Sequence, residues 1–121
     1  MASILVVDDE FGLAEVLEGI LTDAGHRVLR AANGKLGLAQ LRAERVDLVL
    51  LDFMMPVLSG AGMLEALLAD EALRAIPVVM MSAVPEATLR AEVTGYRAFL
   101  RKPFTTDQLL RALERLLPPP P

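Results

Sequence analysis

Three uninterrupted apolar runs constrain the fold of this 121-residue chain more than any other feature. The runs are Ile4–Val7, Leu48–Leu51 and Val78–Met81. Short apolar runs without polar alternation are typical of strands that are buried on both faces of a parallel sheet. Two weaker strand candidates, Arg27–Ala31 and Ala98–Leu100, are expected nearer the edges of that sheet.

Amphipathic segments separate these runs, and apolar residues recur in them at helical spacing. Gly25 and Gly95 lie where the first and fourth helices are expected to end. Asn33 is a candidate N-cap for the second helix, and Thr105 with Gln108 forms a candidate capping box for the fifth. The predicted helices cover Leu13–Leu21, Leu36–Leu41, Met63–Leu68, Glu86–Thr94 and Leu109–Leu117.

The alternation of strands and helices predicts an α/β fold. Parallel strands need crossover connections, and these are right-handed, so we expect a doubly wound five-stranded parallel sheet with helices on both faces. The length is that of one domain, which we assign to residues 1–117. Pro118–Pro121 are expected to form a stiff tail or the start of a linker.

The composition excludes several classes of function. The chain has no Cys and one His, which rules out disulfides, thiolate metal sites and multi-His zinc sites. Its net charge of -4 argues against binding to nucleic acid or to an anionic membrane. No apolar run is long enough to span a membrane, and no basic segment precedes the first apolar run. We therefore expect a cytoplasmic protein.

Polar residues follow the predicted strands at the carboxyl edge, where ligands bind in doubly wound sheets. Carboxylates about 4 Å apart repel by about 1 kcal/mol in water and about 4 kcal/mol at an effective dielectric constant of 20, so such a cluster needs cations. A lysine and a hard divalent ion such as Mg²⁺ meet that need, and together they equip an aspartate for phosphoryl transfer. The polar residues are Asp8, Asp9, Glu10, Asp52, Ser82 and Lys102.

Five motifs, taken in order, resemble those of the receiver domain of bacterial two-component response regulators. The resemblance covers the chain from Ser3 to Leu117. It implies a flavodoxin-like fold with strand order 2-1-3-4-5 and five helices. The motifs are Ile4–Glu10, Asp47–Pro56, Gly60, Ile76–Ala83 and Phe99–Phe104.

The resemblance also implies roles for single residues. Asp52 matches the phosphoacceptor, Lys102 matches the lysine that pairs with the phosphoryl group, and Ser82 matches the hydroxyl that bonds a phosphoryl oxygen. Mg²⁺ is the implied cofactor, and Asp9 is its most direct side-chain ligand. The implied metal ligands are Asp8, Asp9, Asp52 and the backbone carbonyl of Met54.

The implied switch consists of Ser82 and Phe99, and the Lys102–Pro103 peptide is expected to be cis. The implied partners are a sensor histidine kinase or phosphotransfer protein and a downstream effector or output domain. The expected state is a monomer or a phosphorylation-dependent homodimer, although the short segment from Ser82 to Lys102 weakens the case for a dimer through helix four. The candidate partner-binding residues are Gly12, Leu13, Pro103 and Phe104.

Other interpretations stay open at this point. Asp8 and Asp9 could cap a helix, and Phe99 could be a core residue. An FMN-binding flavodoxin is disfavoured because the acidic residues after the first strand would repel the cofactor's phosphate. An aspartate-nucleophile phosphatase is disfavoured because Asp52 does not begin a D-x-D motif. An unphosphorylated receiver-like binding module is a further alternative. We expect no metabolic enzyme activity, only catalysis of the chain's own modification.

Overall fold

The structure, a computed structural model, describes residues 2–118. In this range five strands alternate with five helices. The strands are β1 (Ser3–Val7), β2 (Arg27–Ala31), β3 (Leu48–Asp52), β4 (Val78–Ser82) and β5 (Ala98–Arg101). The helices are α1 (Phe11–Asp23), α2 (Gly34–Ala43), α3 (Gly60–Ala69), α4 (Glu86–Leu89) and α5 (Thr106–Leu116). Most of the predicted proline tail, Pro119–Pro121, lies outside the described residues and stays a prediction.

The sheet is parallel throughout, with the order β2-β1-β3-β4-β5, which confirms the predicted fold. Every residue of β3 and β4 is buried, as the uninterrupted apolar runs predicted. The two weaker runs form the edge strands β2 and β5, also as predicted. The strand registers set Asp52 beside Met81 and Ser82 beside Arg101, so the polar strand ends share one edge.

Two apolar clusters hold the helices against the sheet. Successive side chains of a strand point to opposite faces, so Leu5 and Val7 pack into one cluster while Ile4 and Val6 pack into the other. The first cluster receives apolar residues of α2 and α3, and the second receives those of α1 and α5. Helices therefore cover both faces, and the polar strand ends are left at a rim between them.

The helix boundaries follow the local signals that the sequence carries. The Asn33 side chain accepts a hydrogen bond from the Leu36 N–H at 2.9 Å. Thr105 and Gln108 form the predicted reciprocal capping box, at 3.1 and 2.8 Å. Gly25 follows the end of α1 and has φ +92°, a backbone conformation that residues other than glycine rarely adopt.

The fourth helix is shorter than predicted. The sequence pattern predicted Glu86–Thr94, but α4 ends at Leu89 and the chain then runs through turns to Gly95. Beyond Leu89 the α-helical hydrogen-bond pattern gives way to a tighter turn, in which the Ala91 N–H donates to the Thr88 carbonyl three residues earlier. Short helices depend on tertiary packing, and this segment buries little apolar surface beyond Leu89 and Val93. Among residues 2–118, no helix combines the length and apolar character needed to cross a membrane.

Candidate functional site

The predicted acidic residues meet at the carboxyl edge of the sheet. Asp8 and Asp9 follow β1, and Asp52 is the last residue of β3. One carboxylate oxygen from each of the three lies within 4.8 Å of the others. Asp8 and Asp52 are buried, whereas Asp9 is exposed at the mouth of the site. The sheet thus gathers carboxylates that are more than forty residues apart in sequence.

Lys102 links the two buried carboxylates. Its Nζ lies 3.0 Å from an Asp8 oxygen and 3.3 Å from an Asp52 oxygen. Its backbone N–H donates to the Ser82 carbonyl at 2.8 Å, and the peptide bond to Pro103 is cis, as the resemblance implied. One ammonium faces two buried carboxylates and a third nearby, so the cluster keeps an excess of negative charge.

This excess changes the acidity of the phosphoacceptor candidate. Burial and the negative charge of Asp8 raise the pKa of Asp52 from 3.8 to about 6, against the opposing effect of Lys102. Burial lowers the pKa of Lys102, but the hydrogen bond to Asp8 and the charge of Asp52 outweigh it, so its pKa lies above the ordinary value. Above about pH 6 the site holds an ionised Asp52 beside a charged lysine.

Asp8 is held by two donors. One of its oxygens accepts the Glu10 N–H at 2.8 Å, and the other accepts Lys102. Helix α1 begins after Glu10, with no side-chain capping hydrogen bond. The capping interpretation of Asp8 and Asp9 is therefore wrong. Because both Asp8 oxygens already have a donor, Asp9 and Asp52 are the carboxylates with more capacity to bind a further cation.

An open cleft of about 350 Å³ lies over this cluster. Ser82 is buried at its wall, and its Oγ accepts the Val84 N–H at 2.9 Å, which leaves the hydroxyl proton free to donate. Met54 is exposed at the rim of the cleft. Its place in the Asp47–Pro56 motif, two residues after Asp52, had indicated a position near the site. The lining residues are Asp9, Glu10, Asp52, Met54, Ser82, Ala83 and Lys102.

Three positions near the cleft had no role assigned from sequence. Glu10 stands in the acidic triplet and lines the cleft, whereas Ala83 also lines it but carries no polar side-chain group that a sequence pattern could reveal. Gly60 lets the start of α3 pass close to the end of β3, since a Cβ there would meet the Asp52 carbonyl oxygen and lie 2.7 Å from the Phe53 Cα. Its place in a motif was the available signal.

The donor set suits a hard divalent cation. Carboxylate and carbonyl oxygens are the ligands that Mg²⁺ prefers, and it keeps several waters, which an open cleft admits. The described residues offer two buried carboxylates, one exposed carboxylate and a net negative charge, all at the same point. The residues present therefore fit Mg²⁺.

The switch candidates occupy different environments. Ser82 lines the cleft, whereas Phe99 does not. Phe99 is half-buried on β5, lies beside Met80 in the strand register and packs against the cluster on the α2 and α3 face. Phe99 is therefore partly a core residue, because one part of its side chain packs against the apolar cluster while the residue as a whole is only half-buried.

The partner-binding candidates also divide by exposure. Gly12 and Pro103 are exposed, whereas Leu13 and Phe104 are half-buried and pack against the same apolar cluster. The partner-binding residues predicted from the sequence did not include Phe11. This residue is 70% exposed, and its ring centroid lies 4.7 Å from the Arg30 guanidinium carbon. An aromatic residue directly after the acidic triplet was the signal that could have found it.

A doubly wound parallel sheet with a carboxylate cluster and a lysine at its carboxyl edge is the arrangement that the receiver-domain resemblance implied. The family model described as the response regulator receiver domain matches residues 4–114. The chain therefore belongs to the response regulator receiver domain family.

Comparisons with individual proteins and solved structures agree with this family assignment. The chain is 36% identical over 119 residues to the protein PilH of Pseudomonas aeruginosa, covering 97% of this chain and 98% of PilH. The receiver domain of a sensor histidine kinase from P. aeruginosa, crystallised with magnesium in its active-site cleft, superposes with a TM-score of 0.89 at 30% identity, covering 95% of this chain and 96% of that one. The response regulator TrrA of Thermotoga maritima, in complex with Mg²⁺ and BeF, gives a TM-score of 0.88 at 27% identity, covering 97% and 100%. The chain spans less than half the length of several other curated relatives.

Proposed function

We propose that this receiver domain accepts a phosphoryl group on Asp52 from a histidine kinase or a phosphotransfer protein. The observation that carries the proposal is the Asp52 carboxylate at the cleft, 3.3 Å from the Lys102 ammonium and next to the Asp8 and Asp9 carboxylates. A buried nucleophilic carboxylate, an ammonium and a hydroxyl converge on one open space, which is what phosphoryl transfer needs.

The proposed reaction is a displacement at phosphorus. An Asp52 oxygen forms a bond to phosphorus while the phosphorus–nitrogen bond of the phosphohistidine breaks, and the electron pair of that bond stays with the departing imidazole. Because the pKa of Asp52 is about 6, most of the carboxyl is ionised at neutral pH and able to attack. Lys102 and the Ser82 hydroxyl face the cleft, where they would bind oxygens of the transferred group.

Mg²⁺ is the proposed cofactor, held by Asp9, Asp52 and the Met54 backbone carbonyl, with Asp8 supporting the site through its charge. When bound, it supplies positive charge next to the transferring phosphoryl oxygens. The chain's own residues would position the reacting groups. An Asp8 oxygen lies 3.0 Å from the Lys102 Nζ and holds the lysine toward the cleft, and the small Ala83 leaves the cleft open at its wall.

The proposed output is a change of conformation at Ser82 and Phe99, read by a downstream effector or output domain, in a cytoplasmic protein. Ser82 and Phe99 lie on neighbouring strands, β4 and β5. Pulling the Ser82 hydroxyl toward a phosphoryl oxygen would break its hydrogen bond from the Val84 N–H and loosen the start of the α4 segment. The short α4 gives little surface for a dimer, so a monomer is the proposed resting state.

Mass spectrometry after incubation with acetyl phosphate and Mg²⁺ tests the proposal. We expect one added phosphoryl group on the wild-type chain, mapped to the peptide that contains Asp52, and none on the Asp52→Asn variant. Asp23→Asn removes an exposed carboxylate at the end of α1 and is the matched control, which should be modified like the wild type.

Two results would contradict the proposal. Modification that persists in Asp52→Asn would move the acceptor elsewhere, and no modification of a folded wild-type chain would favour the binding-module alternative. Continuous turnover of small phosphomonoesters would instead support the phosphatase alternative.

A further inference from the structure

The sulfur atoms of this chain all belong to methionine, and one of them lies at the cleft over the carboxylate cluster. The chain has six Met and no Cys, so no thiol competes for an oxidant. In the described part of the chain, Met54 is 65% exposed and Met55 is half-buried. The other described methionines, Met63, Met80 and Met81, have no exposed surface. Access from solvent therefore distinguishes Met54 from the rest.

Met54 stands between two open spaces. It lines the cleft over the carboxylate cluster, together with Asp52 and Lys102. It also lines a neighbouring groove of about 430 Å³, whose walls include Phe53 and Glu92. Hydrogen peroxide is small and neutral, so the carboxylates do not repel it and both spaces admit it. The same spaces leave room for one more oxygen atom on the Met54 sulfur.

Oxidation by hydrogen peroxide is a transfer of one oxygen atom and two electrons. The Met54 sulfur donates an electron pair to one peroxide oxygen, so that a sulfur–oxygen bond forms and the oxygen–oxygen bond breaks. The other oxygen departs as hydroxide and takes the proton of the transferred oxygen, which gives water. The thioether is oxidised to a sulfoxide, and the peroxide is reduced.

The product differs from the thioether in its polarity. Thioether sulfur is a weak hydrogen-bond acceptor, whereas a sulfoxide is a polar group with an accepting oxygen. This oxygen is attached to the side-chain atom that follows Cγ, and the same is true of the carbonyl oxygen of glutamine. Oxidation thus gives position 54 a group that can hold a water at the cleft, and glutamine at this position imitates it.

We propose that Met54 is an oxidation site through which peroxide shortens the lifetime of the phosphorylated protein. The sulfoxide oxygen accepts a hydrogen bond from a water at the mouth of the cleft and holds this water near the acyl phosphate on Asp52, which the water hydrolyses. Reduction of the sulfoxide to the thioether restores the lifetime. The effect on lifetime rests on the phosphorylation proposed above, whereas the selectivity for Met54 rests on its exposure.

Mass spectrometry after exposure to hydrogen peroxide tests the selectivity. We expect one added oxygen at Met54, located by fragmentation of its peptide, at a peroxide concentration that leaves the buried methionines unmodified. Circular dichroism checks that the oxidised chain stays folded. Oxidation of Met55 or of a buried methionine before Met54 would contradict the proposal.

A decay measurement tests the effect on lifetime. The peroxide is removed, the protein is phosphorylated with acetyl phosphate and Mg²⁺, and loss of the phosphoryl group is followed by intact mass once the donor has been removed. We expect oxidation to shorten the lifetime about tenfold, equal to about 1.4 kcal/mol, which is the scale of one hydrogen bond. Met54→Gln should show a short lifetime without peroxide, and methionine sulfoxide reductase should restore the lifetime of the oxidised wild type.

Two leucine variants separate Met54 from its neighbour, since leucine replaces methionine at nearly constant volume and has no sulfur. Peroxide should leave the lifetime of Met54→Leu at its own untreated value, and it should shorten that of Met55→Leu as in the wild type. Equal shortening in Met54→Leu, or an unchanged lifetime in a wild type fully oxidised at Met54, would overturn the proposal.

Failure of the proposed phosphorylation gives a different result. A folded wild-type chain that takes no phosphoryl group before oxidation would refute both the phosphorylation and the effect on lifetime. The selectivity for Met54 would still stand or fall on the positions of the added oxygen.

Discussion

The raised pKa of Asp52 predicts that this carboxylate destabilises the metal-free protein at neutral pH. A shift from 3.8 to about 6 means that ionising Asp52 costs more in the folded chain than in the unfolded chain. For an acid with a raised folded pKa, the associated stability is present below the unfolded pKa and is lost as pH rises through the folded value. One pKa unit corresponds to 1.36 kcal/mol, so the full loss is about 3 kcal/mol.

Asp52→Asn removes the ionisation and should remove this loss. Linkage with these pKa values puts the loss in the wild type at about 1 kcal/mol at pH 4.5 and about 3 kcal/mol at pH 7.5. The variant should therefore gain about 2 kcal/mol relative to the wild type between the two pH values. Comparing the two pH values cancels any pH-independent cost of placing an amide beside Lys102.

Urea unfolding with EDTA, at pH 4.5 and pH 7.5, measures the difference. Asp23→Asn, at an exposed position on α1, is the control and should differ from the wild type by the same amount at both pH values. A constant difference between Asp52→Asn and the wild type would refute the reasoning, because the carboxylate would then ionise as easily in the folded chain as in the unfolded one.

Further predictions concern Asp52 and the residues around it. Lys102→Met leaves two buried carboxylates without their ammonium and should lower the free energy of unfolding by about 3–5 kcal/mol at pH 7.5 without metal, measured by urea unfolding; an unchanged midpoint would contradict this. Gly60→Ala should cost several kcal/mol because its Cβ meets the backbone at the end of β3, whereas Gly19→Ala, in open space on α1, should stabilise by up to about 1 kcal/mol. Equal thermal midpoints for the two variants would be inconsistent with the crowding at Gly60. Met54 is apolar at the cleft rim and has no group to orient a water, so the acyl phosphate should decay over minutes or longer, and Met54→Gln should speed its decay; a wild-type lifetime of seconds, followed by mass spectrometry, would defeat this idea.

Most of the secondary structure could be predicted because its causes are local. Uninterrupted runs such as Leu48–Leu51 became fully buried strands, and the caps at Asn33 and Thr105 formed with the predicted partners. The prediction failed for α4, since the pattern of apolar residues showed where a helix could form but not how little surface it would bury.

The positions of the site residues also came from sequence, because every parallel strand delivers its last residue to the same edge. The order of the elements along the chain, and the polar residues at or just after the ends of β1, β3, β4 and β5, are written in the sequence. The energetics of the site cannot be read from the sequence, since they depend on distances between residues that are far apart along the chain. Lys102 could be expected near the acids, but only packing made Asp8 its closer partner, buried Asp52 and raised its pKa.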